Sequence, residues 1–130
     1  MDQAEYYEHK LSFEIDAWDV SESLKSGGHL VVLDVRSSES FAQEHITGAM
    51  NLHHKIMTGE TTGHLDKALL YVTYCDGVGC NASTKGALKL TQLGFKVKEM
   101  IGGLDWWKRD GHPTERASIV AGDRYGSTPG

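Results

Sequence analysis

Two cysteines, Cys75 and Cys80, are the only thiols in the chain, and both fall in one short segment, Cys75-Asp76-Gly77-Val78-Gly79-Cys80-Asn81. A strand-like run precedes Cys75 and a helical stretch follows Asn81, so the first thiol stands where a strand opens into a Gly-rich loop. Gly77 and Gly79 permit positive φ, which lets successive N–H groups face one point and form a nest for an anion. The N-terminus of the following helix adds partial positive charge and unpaired donors at the same place. Both effects favour thiolate over thiol, and the thiolate is the competent nucleophile. The same cradle suits the negatively charged outer sulfur of a persulfide, so the segment reads as a covalent sulfur carrier working in two transfer steps.

Each cysteine also has a purely structural reading. A cysteine at the end of a buried strand packs as a small apolar residue, and Cys80 can be no more than a small loop residue. The chemical reading of Cys80 is a resolving thiol that pairs with Cys75 and releases bound sulfur or records oxidation. Such a bridge requires the loop to fold back, because linked Cα atoms lie within about 7 Å of each other.

The elements that must position this loop follow from hydrophobic pattern. Short β-type runs alternate with helical stretches, the signature of an α/β domain with a largely parallel sheet. Leu30-Val31-Val32-Leu33-Asp34-Val35 and Leu69-Leu70-Tyr71-Val72-Thr73-Tyr74 are nearly continuous apolar runs, as central strands buried on both faces require. The second delivers Cys75 at its C-terminal end, the sheet edge where ligands bind in open α/β folds. Ala17 to Lys25 reads as a helix capped by Asp16, and Ser37 or Ser38 caps a short one running through Phe41. His45 to Leu52 leads into a brief strand, while 53–67 has little periodicity and reads as loop with a possible helix. A helix after the cysteine loop presents Ala87, Leu88, Leu90 and Leu93 and ends at Gly94. Phe95 to Ile101 is a further strand, followed by a short helix holding Trp106 and Trp107. Leu11 to Ile15 alternates as an edge strand or lead-in. The expected organisation is a lead-in over 1–10, one domain over 11–114 and a flexible tail over 115–130.

Composition removes several classes of function. The 130 residues are 39% hydrophobic and 24% charged, enough for one core, with no apolar run long enough to cross a bilayer. The start, Met1 to Tyr7, lacks the basic and apolar regions of a secretory signal, so a cytoplasmic protein is expected. A formal net charge of −5 argues against a nucleic-acid partner, and no membrane partner is expected. His53 and His54 are remote from the cysteines and no second Cys pair exists, so neither a metal nor another cofactor is expected.

Several separated motifs occur in one order: Leu33-Asp34-Val35-Arg36, then Phe41 through Glu44-His45-Ile46-Thr47-Gly48-Ala49 with Asn51, then Cys75 after a buried strand, Leu93-Gly94-Phe95, and Gly102-Gly103-Leu104 with Trp107. From about Leu11 to Pro113 the sequence resembles the single-domain rhodanese-like sulfurtransferases. That resemblance implies a doubly wound α/β domain with a mostly parallel central sheet flanked by helices, and Cys75 as the persulfide-bearing catalytic cysteine. It implies a sulfurtransferase moving sulfane sulfur from thiosulfate, a small persulfide or a protein persulfide to a thiol or cyanide-like acceptor. Residues Asp76, Gly77, Val78, Gly79, Cys80 and Asn81 would form the active-site loop. Asp34 and Arg36 are expected to support it through ion pairs and caps rather than to touch substrate.

The loop departs from the family's common pattern. No Lys or Arg follows Cys75 before Lys85, and the segment to Gly94 is a few residues longer than usual. Asp76 would repel the thiosulfate dianion, which favours a persulfide donor. The missing Arg clamp argues against the phosphatases and arsenate reductases that share this fold. Two other readings stay open: a non-enzymatic redox or partner-binding module that toggles Cys75 and Cys80, and a binding domain with an inert Cys75.

Overall fold

The computed structural model describes residues 1–117. Residues 118–130, most of the stretch read as a tail, lie outside the described residues. The two apolar runs form the centre of the sheet as β2 (Leu30–Asp34) and β5 (Leu70–Tyr74), parallel and in register from Leu30 opposite Leu70 to Asp34 opposite Tyr74. With β1 (Glu14–Ile15), β4 (Met50–Asn51) and β6 (Lys96–Met100), the order is β1-β6-β5-β2-β4, every neighbouring pair parallel. A separate antiparallel pair joins β3 (His45–Ile46) to β7 (Thr114–Glu115), so chain assigned to the tail at 115 is strand.

Alternation along the strands builds a core on each face of the sheet. Val32, Val72, Tyr74 and Met100 pack with α2 (Ala17–Lys25) and α5 (Gly103–Arg109) through Ala17, Val20, Leu104 and Trp107. Leu33 and Tyr71 point the other way, to Leu90 of α4 (Ala82–Gln92) and to Met57 beyond a single 3-10 turn at His54–Ile56. Helices therefore cover both faces, the doubly wound arrangement that the sequence implied. Asp16 caps α2 by accepting a hydrogen bond from the Asp19 N–H, and Ser37 caps α3 (Ser38–Gln43) in the same way through Ser40.

Two local expectations change. The N-terminal segment is a helix, α1 (Gln3–Phe13), so only Glu14 and Ile15 of the alternating Leu11–Ile15 stretch are strand. None of its residues is buried, hence no apolar periodicity; its mark is the capping box between Asp2 and Glu5. On α4 the buried stripe is Ser83, Gly86 and Leu90, while Leu88 faces outward. Gly86 sits there because α4 rides tightly on the end of β2: a Cβ would lie 2.9 Å from Val35 Cγ1.

Candidate active site

Cys75 follows the last residue of β5 and is 3% exposed. Its carbonyl accepts from the Leu104 N–H at 2.8 Å, and the Asp76 carbonyl accepts from Asp105 N–H at 2.8 Å, so the start of α5 backs the loop directly. The close approach explains the Gly102-Gly103 pair. A Cβ on Gly103, which has φ +60°, would lie 2.6 Å from the Gly77 nitrogen and 2.8 Å from the Asp76 carbonyl carbon. Sequence reasoning placed these glycines in a motif without giving them a part in the site.

The loop then turns back on itself. The Cys80 N–H donates to the Gly77 carbonyl at 3.1 Å, and Gly79 takes φ +94° at the third position, as in a type II turn. Val78 is the exposed tip. Gly77 does not adopt positive φ; its smallness serves packing instead, since a Cβ would lie 3.1 Å from Asp105 Cβ. The turn brings the Cα atoms of Cys75 and Cys80 to 6.2 Å, and the two sulfurs are joined as a disulfide. Asn81 is the residue before α4, but its side chain makes no cap hydrogen bond, so the first helical N–H groups are left to the loop. Thr73 Oγ1 pins this turn of α4 to β5 by donating to the Ser83 carbonyl at 3.0 Å.

Asp34 and Arg36 lie beside the loop, Arg36 reaching Asp76 and Asp34 held by Arg36. Arg36 donates to both Asp34 carboxylate oxygens, the closest contact being Nη2 to Oδ2 at 2.7 Å, and to the Glu44 carbonyl at 2.6 Å. Tyr74 Oη donates to Asp34 Oδ2 at 2.7 Å and accepts from the Ile46 N–H at 3.0 Å. Burial alone would lower the Arg36 pKa, but hydrogen bonds and charge from Asp34, with help from Asp76, outweigh it and hold the guanidinium above its ordinary value. Burial, then the Asp34 charge, raises the Tyr74 phenol. Asn51 Nδ2 donates to the carbonyls of Asp34 and Arg36, both at 3.0 Å, and fixes the strand end.

The fourth reach of Arg36 corrects the electrostatic picture. Nη1 donates to Asp76 Oδ1 at 2.9 Å, so a cation from β2's end, not Lys85, serves the loop, and Asp76 is partly neutralised. Other carboxylates that the sequence did not indicate line the mouth. Glu14 and Glu99 sit opposite each other across β1 and β6 and, with Cys75, Gly79, Cys80 and Ser83, border a cleft of about 290 Å³. Glu14 pairs with Lys10 at 2.8 Å. Glu99 accepts from Ser83 and Thr84 hydroxyls at 2.6 Å and forms no ion pair among the described residues. Only the β1–β6 register reveals this second acidic group.

His45 and the tryptophans stand outside the cleft. His45 stacks on Phe41, with Nδ1 2.7 Å from the Phe41 carbonyl and Nε2 3.1 Å from Glu115. Trp107 is buried, whereas Trp106 is half exposed. Cys75, Asp76 and Cys80 place potential ligand atoms within 4.8 Å of one another, but here Asp76 is held by Arg36 and the sulfurs bind each other. No helix among the described residues is long and apolar enough to cross a membrane.

Known proteins share both the sequence and this architecture. A protein named thiosulfate sulfurtransferase GlpE from Coxiella burnetii is 32% identical over 112 residues, covering 85% of this chain and 96% of that protein. Thiosulfate sulfurtransferase 16, chloroplastic, of Arabidopsis thaliana is 32% identical over 108 residues, covering 74% and 88%. A crystal structure of a Bacillus halodurans protein superposes with TM-score 0.83 at 38% identity, covering 87% of this chain and 83% of that one. The model of the family described as "Rhodanese-like domain" matches residues 17–110, which take in β2, β4, β5 and β6 of the parallel sheet, the cysteine loop and the Gly-Gly backing. This chain belongs to the rhodanese-like family.

Proposed function

We propose that the protein is a sulfurtransferase that carries sulfane sulfur as a persulfide on Cys75. The observation that carries this reading is the position of Cys75 at the C-terminal end of β5, inside a turning loop that opens on the uncapped N-terminus of α4. With the thiols reduced, Cys75 thiolate attacks the outer sulfur of the donor, the donor's S–S bond breaks, and its remaining electron pair leaves with sulfite or a thiolate. An acceptor thiol or cyanide-like nucleophile then attacks the outer persulfide sulfur and returns Cys75 as thiolate. Loop N–H groups and the helix end stabilise the negative sulfur at both stages. Asp34 and Arg36 position the loop without entering the reaction.

The relatives' name brings thiosulfate to this chain as a donor. The charge around the cleft ranks it below persulfides: Arg36 balances Asp76, but Glu99 borders the mouth and forms no ion pair among the described residues. A carrier that needs a free thiol fits a reducing compartment, the cytoplasm. The test is a donor panel of thiosulfate, a small persulfide and a cysteine-desulfurase persulfide, with wild type and Cys75→Ser side by side. Mass spectrometry directly after loading is expected to find one added sulfur on Cys75, in the wild type or, where Cys80 discharges it, in Cys80→Ser, and none in Cys75→Ser. Failure of all three donors overturns the proposal.

The Cys75–Cys80 disulfide favours a second reading, a non-enzymatic redox or partner-binding module. That reading loses its support if Cys80→Ser transfers sulfur normally and oxidant forms no bridge in the wild type.

A further inference from the structure

We infer that Cys80 discharges the Cys75 persulfide from within, releasing hydrosulfide and leaving the Cys75–Cys80 disulfide. This rests on the reading of Cys75 as the sulfur carrier and adds a second, reductive outlet to it.

The backbone supplies the first support. An extended segment spanning five residues reaches about 17 Å, yet the Cα atoms of Cys75 and Cys80 stand 6.2 Å apart, inside the usual range for a bridge. The turn that achieves this belongs to the main chain: Cys80 N–H on the Gly77 carbonyl, with Gly79 at φ +94°. Nothing lies within 4 Å of a Cβ built on Gly79, so it is conformation and not space that glycine answers there. The other face of the loop is anchored by Leu104 and Asp105 N–H groups, contacts that do not involve either sulfur. A geometry held by the backbone is available before the bridge forms.

The chemistry balances with the groups present. Cys80 gives up its proton and attacks Cys75 Sγ, the inner sulfur of the persulfide. The Sγ–Sγ bond forms, the bond to the outer sulfur breaks, and that sulfur leaves with the electron pair and a proton as hydrosulfide. The sulfane sulfur is reduced and the two cysteines are oxidised. A dithiol reductant restores both thiols and is itself oxidised to a disulfide. Cys80 is the more exposed partner, so the reductant's thiolate meets its sulfur and Cys75 is the leaving thiolate, ready for the next sulfur.

The experiment loads reduced protein with a limiting low-molecular-weight persulfide, removes small molecules, and follows it without added thiol. Wild type is expected to release close to one hydrosulfide per chain and to finish two hydrogens lighter than the reduced protein, with Cys75 and Cys80 peptides joined. Cys80→Ser and Cys80→Ala are expected to hold the added sulfur, with release on the order of 100-fold slower, until dithiothreitol is supplied. Wild type that keeps its persulfide as long as the variants do, or that carries the extra sulfur on Cys80, overturns the inference. The loading step separates this from failure of the carrier itself: no added sulfur on Cys75 in any protein means that the carrier reading has fallen first.

Discussion

Arg36 Nη1 lies 2.9 Å from Asp76 Oδ1 and links the end of β2 to the residue after Cys75. The same guanidinium is bound to Asp34, which has no exposure at all, while Asp76 is 70% exposed. One side chain thus joins a buried ion pair to a solvent-facing one.

The two halves of that link should differ sharply in cost. Arg36→Ala strands a buried carboxylate and is expected to lower stability by about 3–5 kcal/mol. Asp76→Ala breaks only the exposed contact, for at most about 1 kcal/mol. Urea midpoints of the two variants check this; equal losses would contradict the assignment of Asp34 as the buried partner.

Gly103→Ala should disable the site through the backbone. It costs about 1–2 kcal/mol for the left-handed conformation and also drives a methyl group against Gly77 and Asp76. Gly27 has a similar φ, +75°, with nothing within 4 Å, so Gly27→Ala isolates the conformational cost. Sulfur uptake on Cys75 is expected to fall at least tenfold in Gly103→Ala and to stay unchanged in Gly27→Ala.

Glu99→Gln keeps an oxygen for Ser83 and Thr84 but removes the negative charge at the mouth. Thiosulfate use is expected to improve several-fold at low ionic strength, with the gain shrinking as salt rises. A persulfide donor, which carries less negative charge than the thiosulfate dianion, should show a smaller change. An equal effect on both donors would point away from charge.

His54 sets a pH dependence of stability. Burial, then the neighbouring His53 and Lys89, hold its pKa below the ordinary 6.5. Between the folded and unfolded values the unfolded chain binds the extra proton, so stability is complete above about pH 6.5 and declines as pH falls towards the folded value. Thermal midpoints between about pH 7 and pH 5 should fall less in His54→Gln than in wild type.

The sequence exposes what depends on runs of adjacent residues. β2 and β5 read clearly because strands buried on both faces must be continuously apolar, and Cys75 comes with them. α1 lacks a buried face and so lacks the period that would announce it. Leu88 is apolar yet exposed, because the tight contact of Gly86 with Val35 fixes which side of α4 turns inward. Arg36 as the loop's cation and Glu99 as the mouth's charge arise only when distant strands align, one through β2 and β5, the other through β1 and β6. The disulfide was open in the sequence as a possibility contingent on a turn, and Gly79 supplies that turn.

The strand order also bears on how the molecule assembles during synthesis. β1 emerges early but, among the described residues, pairs only with β6, so Glu14 waits for Glu99, and α5 closes behind Cys75 later still. Parallel pairing between such distant segments makes for slow folding with long exposure of intermediates. The two thiols therefore leave the ribosome well before their setting exists. An incomplete chain has both cysteines without the backing that α5 gives their loop, so pairing with foreign thiols competes until α5 is in place.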